Sequence, residues 1–172
     1  GYDVENVSQF LTHAIPHEHI HAVHQNLRLV EQWTGIIRDD VVSYSLNVYE
    51  DEQNTVQAYL ENYGISSEQV YFCIHPGSGT WVKRWENELW AKVADTLVDQ
   101  LDAKVVFTGS DGERAMIDAI QNRMSHKSYT SAGDLSIEQL AALYQNAKVV
   151  LGPDSGPLHL AAAVKTPTVA LF

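Results

Sequence analysis

The sequence has a single cysteine, Cys73, among 172 residues. One thiol excludes an internal disulfide framework and suits a reducing compartment. Basic residues are also scarce, 11 Lys+Arg against 22 Asp+Glu, for a net charge of -11. A protein that grips nucleic acid phosphates carries a basic surface, so nucleic acid is not an expected partner. No apolar run approaches the roughly 18 residues of a membrane-spanning helix, and no charged-then-apolar signal peptide opens the chain. A soluble or peripheral protein of the cytoplasm is therefore expected. Internal repeats and low-complexity tracts are missing, which excludes solenoid architectures. What remains is an ordinary globular composition, 45% hydrophobic and 19% charged, able to bury a core without disulfide or metal staples. The chain opens on Gly1-Tyr2-Asp3 without Met and closes on the apolar Thr168 to Phe172, as an excised piece of a longer protein would.

From Val70 onward short apolar runs alternate with longer amphipathic segments, the signature of strand-helix-strand units around a parallel sheet. Strands are expected at Val70 to His75, Lys104 to Thr108, Lys148 to Gly152 and Thr168 to Phe172, with a weaker fifth near Lys127 to Thr130. Leu89, Trp90, Val93, Ala94, Leu97, Val98 and Leu101 form one apolar helical stripe, and a second helix fits Glu113 to Met124. A third opens with the capping-box pattern Ser136-Ile137-Glu138-Gln139 and ends near Asn146, and a fourth follows Ser155 as N-cap and Pro157 in the first turn. The expected fold is α/β, a Rossmann-like parallel sheet with helices on both faces. Residues 1 to 62 carry ten acidic and two basic side chains, whereas 63 to 172 carry twelve and nine. We place a boundary there, between a lead-in segment (1–62) and the sheet domain (63–172). The lead-in is read as a helix from Pro16 to Gly35 and an edge strand from Val41 to Tyr49.

Two loops fall where strands run out and helices start, which is the ligand end of such a sheet. The first, His75-Pro76-Gly77-Ser78-Gly79-Thr80-Trp81-Val82-Lys83-Arg84-Trp85, has small residues that expose backbone N–H groups and the chain's one adjacent basic pair. These features suit a phosphate. Val82 stands where both a P-loop and a G-x-G-x-x-G loop require glycine, so neither motif is present, and an ordinary Gly-rich turn with a solvated basic pair remains open. The second loop is Gly152-Pro153-Asp154-Ser155-Gly156-Pro157-Leu158-His159. Ser155 and its neighbouring N–H groups can take phosphate oxygens, Asp154 can accept from sugar hydroxyls, and His159 lies one turn into the helix. Alternatively Asp154 and Ser155 only cap that helix. In a third loop, Thr108 to Arg114, Glu113 could accept from ribose hydroxyls or simply favour the helix dipole.

Five of the eight histidines, His13, His17, His19, His21 and His24, cluster near the start. On a helix, His17, His21 and His24 would share a face, but one face without cysteine supplies too few ligands for a closed zinc or nickel site. Trp81 could flank a ligand, Trp85 and Trp90 read as packing residues, and Cys73 as inert core. No G-x-S-x-G elbow or nucleophile-base triad is legible.

Together, His75-Pro76-Gly77-Ser78-Gly79, Lys83-Arg84-Trp85, Gly109 to Arg114, Gly133-Asp134-Leu135-Ser136, Gly152 to His159 and Thr166 to Phe172 resemble the carboxyl-terminal half of lipopolysaccharide heptosyltransferases, glycosyltransferase family nine. The resemblance is specific over residues 70 to 172 and loose over the lead-in. It implies the donor-binding lobe of a two-lobed, inverting GT-B enzyme of bacterial lipopolysaccharide synthesis. The donor would be ADP-heptose or another ADP-sugar, the acceptor a glycolipid bound by a preceding lobe, with no cofactor and no obligatory metal. Ser78, Gly79 and Lys83 would hold the diphosphate, Glu113 the ribose, and Leu135 the adenine edge through its backbone. Asp154, Ser155, Gly156 and His159 would sit on the donor sugar and phosphate. The catalytic base would come from the preceding lobe, so this piece alone would bind donor and transfer nothing. It also implies a location in the cytoplasm or peripheral at the cytoplasmic face of the inner membrane. Lys165 stands where the family commonly has Gly, and Glu86 where it often has Pro. A non-catalytic nucleotide-binding module, or a family member using another nucleotide-sugar, is the alternative.

Overall fold

The computed structural model describes residues 2–3, 8–36 and 45–172. Two compact units divide the chain, Gly1–Ser43 and Tyr44–Phe172.

In the first unit, β1 (Tyr2–Asp3) pairs in parallel with β2 (Ile15–Pro16), and α1 spans Ala22–Thr34. The helix is shorter than the expected Pro16 to Gly35 because Pro16 belongs to a strand. The His21 side chain caps the helix start by accepting from the Val23 N–H at 3.4 Å. It ends at Gly35, whose left-handed φ of 71° lets its N–H return to the Glu31 carbonyl at 2.7 Å. The apolar stripe expected on this helix does not lie inward throughout, since Val30 and Trp33 are exposed. The edge strand expected at Val41 to Tyr49 falls partly outside the described residues, and 45–49 form no strand.

The second unit begins with α2 (Glu50–Asn62), an element absent from the sequence reading. Glu50, Asp51 and Glu52 in its first turn favour the positive end of the helix dipole. Val56 and Leu60 bury its inner face. The charge shift at residue 62 and the division between compact units therefore do not coincide, because this acidic helix packs on the sheet that follows.

That sheet has five parallel strands: β3 (Tyr71–Ile74), β4 (Lys104–Phe107), β5 (Tyr129–Thr130), β6 (Val150–Pro153) and β7 (Thr168–Leu171). Their spatial order is β5-β4-β3-β6-β7. The connecting helices are α3 (Asn87–Leu101), α4 (Arg114–Gln121), α5 (Ile137–Asn146) and α6 (Gly156–Ala163). The expected helix from Glu113 to Met124 is thus trimmed at both ends, its first residues being a 3-10 turn over Asp111–Glu113.

Alternation along the strands fills both faces. Tyr71, Cys73, Val106 and Val150 meet Val56 and Leu60 of α2, Ala141 and Tyr144 of α5, and Leu158 and Ala161 of α6. Ile74, Val105 and Phe107 meet Trp90, Ala91 and Ala94 of α3 with Ile117 and Ile120 of α4. Strands buried on both sides read as unbroken apolar runs, and alanine on the helices lets them approach closely. The chain runs outward from β3 to β5, then returns to lay β6 against the other side of β3. This reversal is the switch point at which doubly wound sheets open a ligand crevice.

Candidate functional site

The loop leaving β3 is held from beneath. His75, Pro76, Gly77 and Ser78 are buried, whereas 79–84 are exposed. His75 Nδ1 lies 3.2 Å from Thr108 Oγ1, which lies 2.7 Å from the Tyr144 hydroxyl, a buried polar chain running from the loop into α5. Burial pushes the His75 imidazole below the ordinary histidine range, against the attraction of Glu113. Farther along, Arg84 donates from Nε and Nη2 to the Ser78 carbonyl at 3.3 and 3.2 Å, and Ser78 Oγ accepts from the Thr80 N–H at 3.4 Å. Arg84 therefore folds the loop back on itself, and Lys83 is left to face across the crevice.

Across the crevice stands the loop leaving β6. A Cβ on Gly152 would come within 2.7 Å of both the His75 carbonyl oxygen and Leu158 Cδ1, so glycine is what lets the two strand ends touch. Lys83 Nζ donates to Asp154 Oδ2 at 2.6 Å. That bond and the charge behind it hold the Asp154 carboxyl below the usual carboxylate range. His159 Nε2 lies 3.7 Å from the other carboxylate oxygen, Oδ1. Ser155 occupies the N-cap position of α6, yet its side chain makes no capping bond. Its hydroxyl oxygen is buried without a hydrogen-bond partner among the described residues. The simple capping reading of Ser155 thus fails on geometry. Gly156 has open space where a side chain would be, as does Gly79 in the facing loop.

Glu113 caps the turn that precedes α4. Its Oε2 accepts from the Ser110 N–H at 2.7 Å and from the Ser110 hydroxyl at 2.8 Å, a capping box that steadies the turn. Its other oxygen is directed at the β3 loop, where a Cβ on Gly77 would sit 1.8 Å from Oε1. Burial works against its charge, but the Ser110 bonds, with His75 and Arg84 nearby, hold the carboxyl below its ordinary range. Leu135 is half-buried against the core on the α2 side. It follows Asp134, which pairs with Arg114 at 2.8 Å, one residue beyond Glu113.

The structure thus brings Lys83, Asp154 and His159 into direct reach and sets Ser155 and Gly156 beside them. Glu113 lies against the same loop as Ser78, and Leu135 stands at the end of the neighbouring β5 turn. Histidines 17 and 21 precede α1 rather than sharing a face with His24, and no three His, Cys, Asp or Glu side chains among the described residues group as metal ligands. Trp81 is exposed, while Trp85 and Trp90 pack edge to face with centroids 5.1 Å apart.

The family model for glycosyltransferase family 9 (heptosyltransferase) matches residues 1–172. The chain belongs to glycosyltransferase family 9. It is 34% identical over 166 residues to lipopolysaccharide heptosyltransferase 3 of Escherichia coli (strain K12), covering 94% of this chain and 46% of that protein. Among solved structures it is similar to the glycosyl transferase family 9 from Veillonella parvula DSM 2008, with TM-score 0.83 and 25% identity over 95% of this chain and 47% of that one. The E. coli ADP-heptose lps heptosyltransferase II structure gives TM-score 0.69 and 26% identity over 79% of this chain and 41% of that one. The chain therefore spans about half the length of these relatives. Its parallel sheet is a lobe of the GT-B architecture. No helix among the described residues is long and apolar enough to cross a membrane.

In this family 9 chain, sequence reasoning missed the buried His75-Thr108-Tyr144 chain and the residues gripping the β5 turn. Both join elements far apart in sequence, and a strand-end Thr or a helical Tyr carries no local signal of such a partner.

Proposed function

We propose that this chain is the donor-binding half of an inverting glycosyltransferase that moves a sugar, heptose from ADP-heptose, onto a lipopolysaccharide core or related glycolipid. The observation that carries the reading is the meeting of Lys83 with Asp154 across the switch-point crevice of a family 9 chain. A relative at 26% identity is named for ADP-heptose, which supports that donor. In the transfer, an acceptor hydroxyl attacks the anomeric carbon, the bond to the diphosphate oxygen breaks, and a general base takes the hydroxyl proton. Negative charge then builds on the departing diphosphate. Lys83, Ser78 and the N–H groups of the β3 and β6 loops, including Gly79 and Gly156, would stabilise it without an obligatory metal, while Ser155, Asp154 and His159 would hold the sugar and phosphate. Glu113 would accept from the ribose and the Leu135 backbone would meet adenine. The base is assigned to another lobe of the longer protein, acting at the cytoplasmic face of the inner membrane, so this chain alone would bind donor without transferring sugar.

Calorimetric titration with ADP, UDP and GDP, with and without magnesium, tests the reading. Preferential ADP binding independent of magnesium is the expected result. Preference for another base, or no binding, would overturn it, and sugar transfer by the chain alone would overturn the assignment of the base.

A further inference from the structure

The turn after β5 is held far more tightly than a surface loop requires. The Thr130 carbonyl lies 3.0 Å from the Tyr59 hydroxyl and 3.4 Å from that of Tyr63. The Ser131 N–H donates to the Phe107 carbonyl at 2.9 Å, and Arg114 Nη2 donates to the Ala132 carbonyl. Gly133 takes a left-handed φ of 76° and donates to the Gly109 carbonyl at 3.0 Å, while Asp111 fills the space its side chain would need. Asp134 is gripped from two sides, Oδ2 by the Tyr59 hydroxyl at 2.9 Å and Oδ1 by Arg114 Nη2 at 2.8 Å. Five consecutive residues are therefore tied to α2, α4 and the end of β4.

A tyrosine hydroxyl has one proton to give, and the carboxylate is its stronger acceptor. Tyr59 then donates to Asp134, which leaves Tyr63, at 3.2 Å from the Tyr59 oxygen, to complete the chain. The Arg114–Asp134 pair is more than a third exposed on both sides, and such pairs add little stability. Donors from two helices thus converge on one exposed carboxylate, and the next residue in the chain is Leu135.

We propose that Tyr59 is a positioning residue for nucleobase recognition: together with Arg114 it clamps Asp134 and so fixes the turn that presents the Leu135 backbone to the base. This rests on the donor-binding reading above. Backbone groups recognise a base edge only when held in register, whereas the diphosphate is bound by the β3 and β6 loops and does not depend on this turn. Loosening the clamp should therefore change which base is preferred and leave phosphate affinity alone.

The test is calorimetry of wild type, Tyr59→Phe, Asp134→Asn and the double variant with ADP, GDP and inorganic pyrophosphate. Each single variant is expected to lower the ADP-over-GDP affinity ratio about tenfold, the equivalent of about 1.4 kcal/mol, with pyrophosphate affinity unchanged. The double variant should lose less than the sum of the two single losses, since the Tyr59–Asp134 bond is common to both. Retention of the wild-type ratio by both variants would overturn the clamp, as would pyrophosphate affinity falling in step with ADP affinity. Absence of any ADP preference in wild type would instead overturn the donor-binding reading, and the clamp's role with it.

Discussion

Lys83 and Asp154, 71 residues apart in sequence, join the loops leaving β3 and β6 through a 2.6 Å ion pair. Both side chains keep more than a third of their surface exposed, so the pair contributes little to folding and its lysine is available to a competing anion. Replacing Lys83 by Ala should weaken ADP binding by about 1.5 to 3 kcal/mol, the range for a hydrogen bond to a charged group. Thermal melting without ligand should barely change. Calorimetry and melting on the same sample check both halves; unchanged ADP affinity would remove Lys83 from the site.

Ser155 offers a separation of structural from ligand-binding roles. Loss of a working N-cap costs about 1 kcal/mol, but this hydroxyl caps nothing. Ser155→Ala should leave the denaturation midpoint within the scatter of wild type while reducing ADP affinity. A clear drop in stability with ADP affinity intact would show that the hydroxyl belongs to the fold.

The buried imidazole of His75 predicts a pH dependence. Burial lowers its folded-state pKa, so the unfolded chain takes up a proton first as pH falls. Stability should therefore rise with pH through the ordinary histidine range, from about 5 to about 7, and fall on acidification. Glu113 faces the same ring and stays ionised across that window. In His75→Gln, urea denaturation repeated across this range should give a flatter profile than wild type.

How much of this was legible follows from what each element buries. Tyr71–Ile74 and Lys104–Phe107 stood out because both sheet faces are covered and no polar residue interrupts the runs. Helix α5 announced its start through Ser136 and Gln139, whose side chains do exchange bonds with each other's backbone N–H at 3.2 and 3.0 Å. Helix α2 did not, because its surface is acidic and amide-rich and only Val56 and Leu60 are buried. The crevice was legible as two strand-end loops, and Lys83 and Asp154 could be placed in it by topology alone. The grip on the β5 turn was not, since Tyr59 meets partners 71 and 75 residues away.

Lys165 shows how a departure from family habit becomes a physical statement. Helix α6 ends with the Thr166 N–H on the Ala161 carbonyl and the Lys165 N–H on the Ala162 carbonyl, both at 3.0 Å, a Schellman motif. Lys165 takes the position with left-handed backbone, φ 65°, that glycine occupies without steric cost. Lys165→Gly should raise stability by about 0.5 to 1 kcal/mol in chemical denaturation, and a loss would refute the strain.

The strand order also governs time. Cys73 and Ile74 pair with Val150 and Leu151, so β3 cannot meet β6 until the whole intervening chain has been gathered. Closing so long a loop carries an entropic cost before any contact repays it, and sheets of this kind fold slowly compared with helical bundles. Under the donor-binding proposal, a nucleotide touching both strand ends would bind after the slow step, and its expected kinetic effect is to delay unfolding rather than to hasten folding.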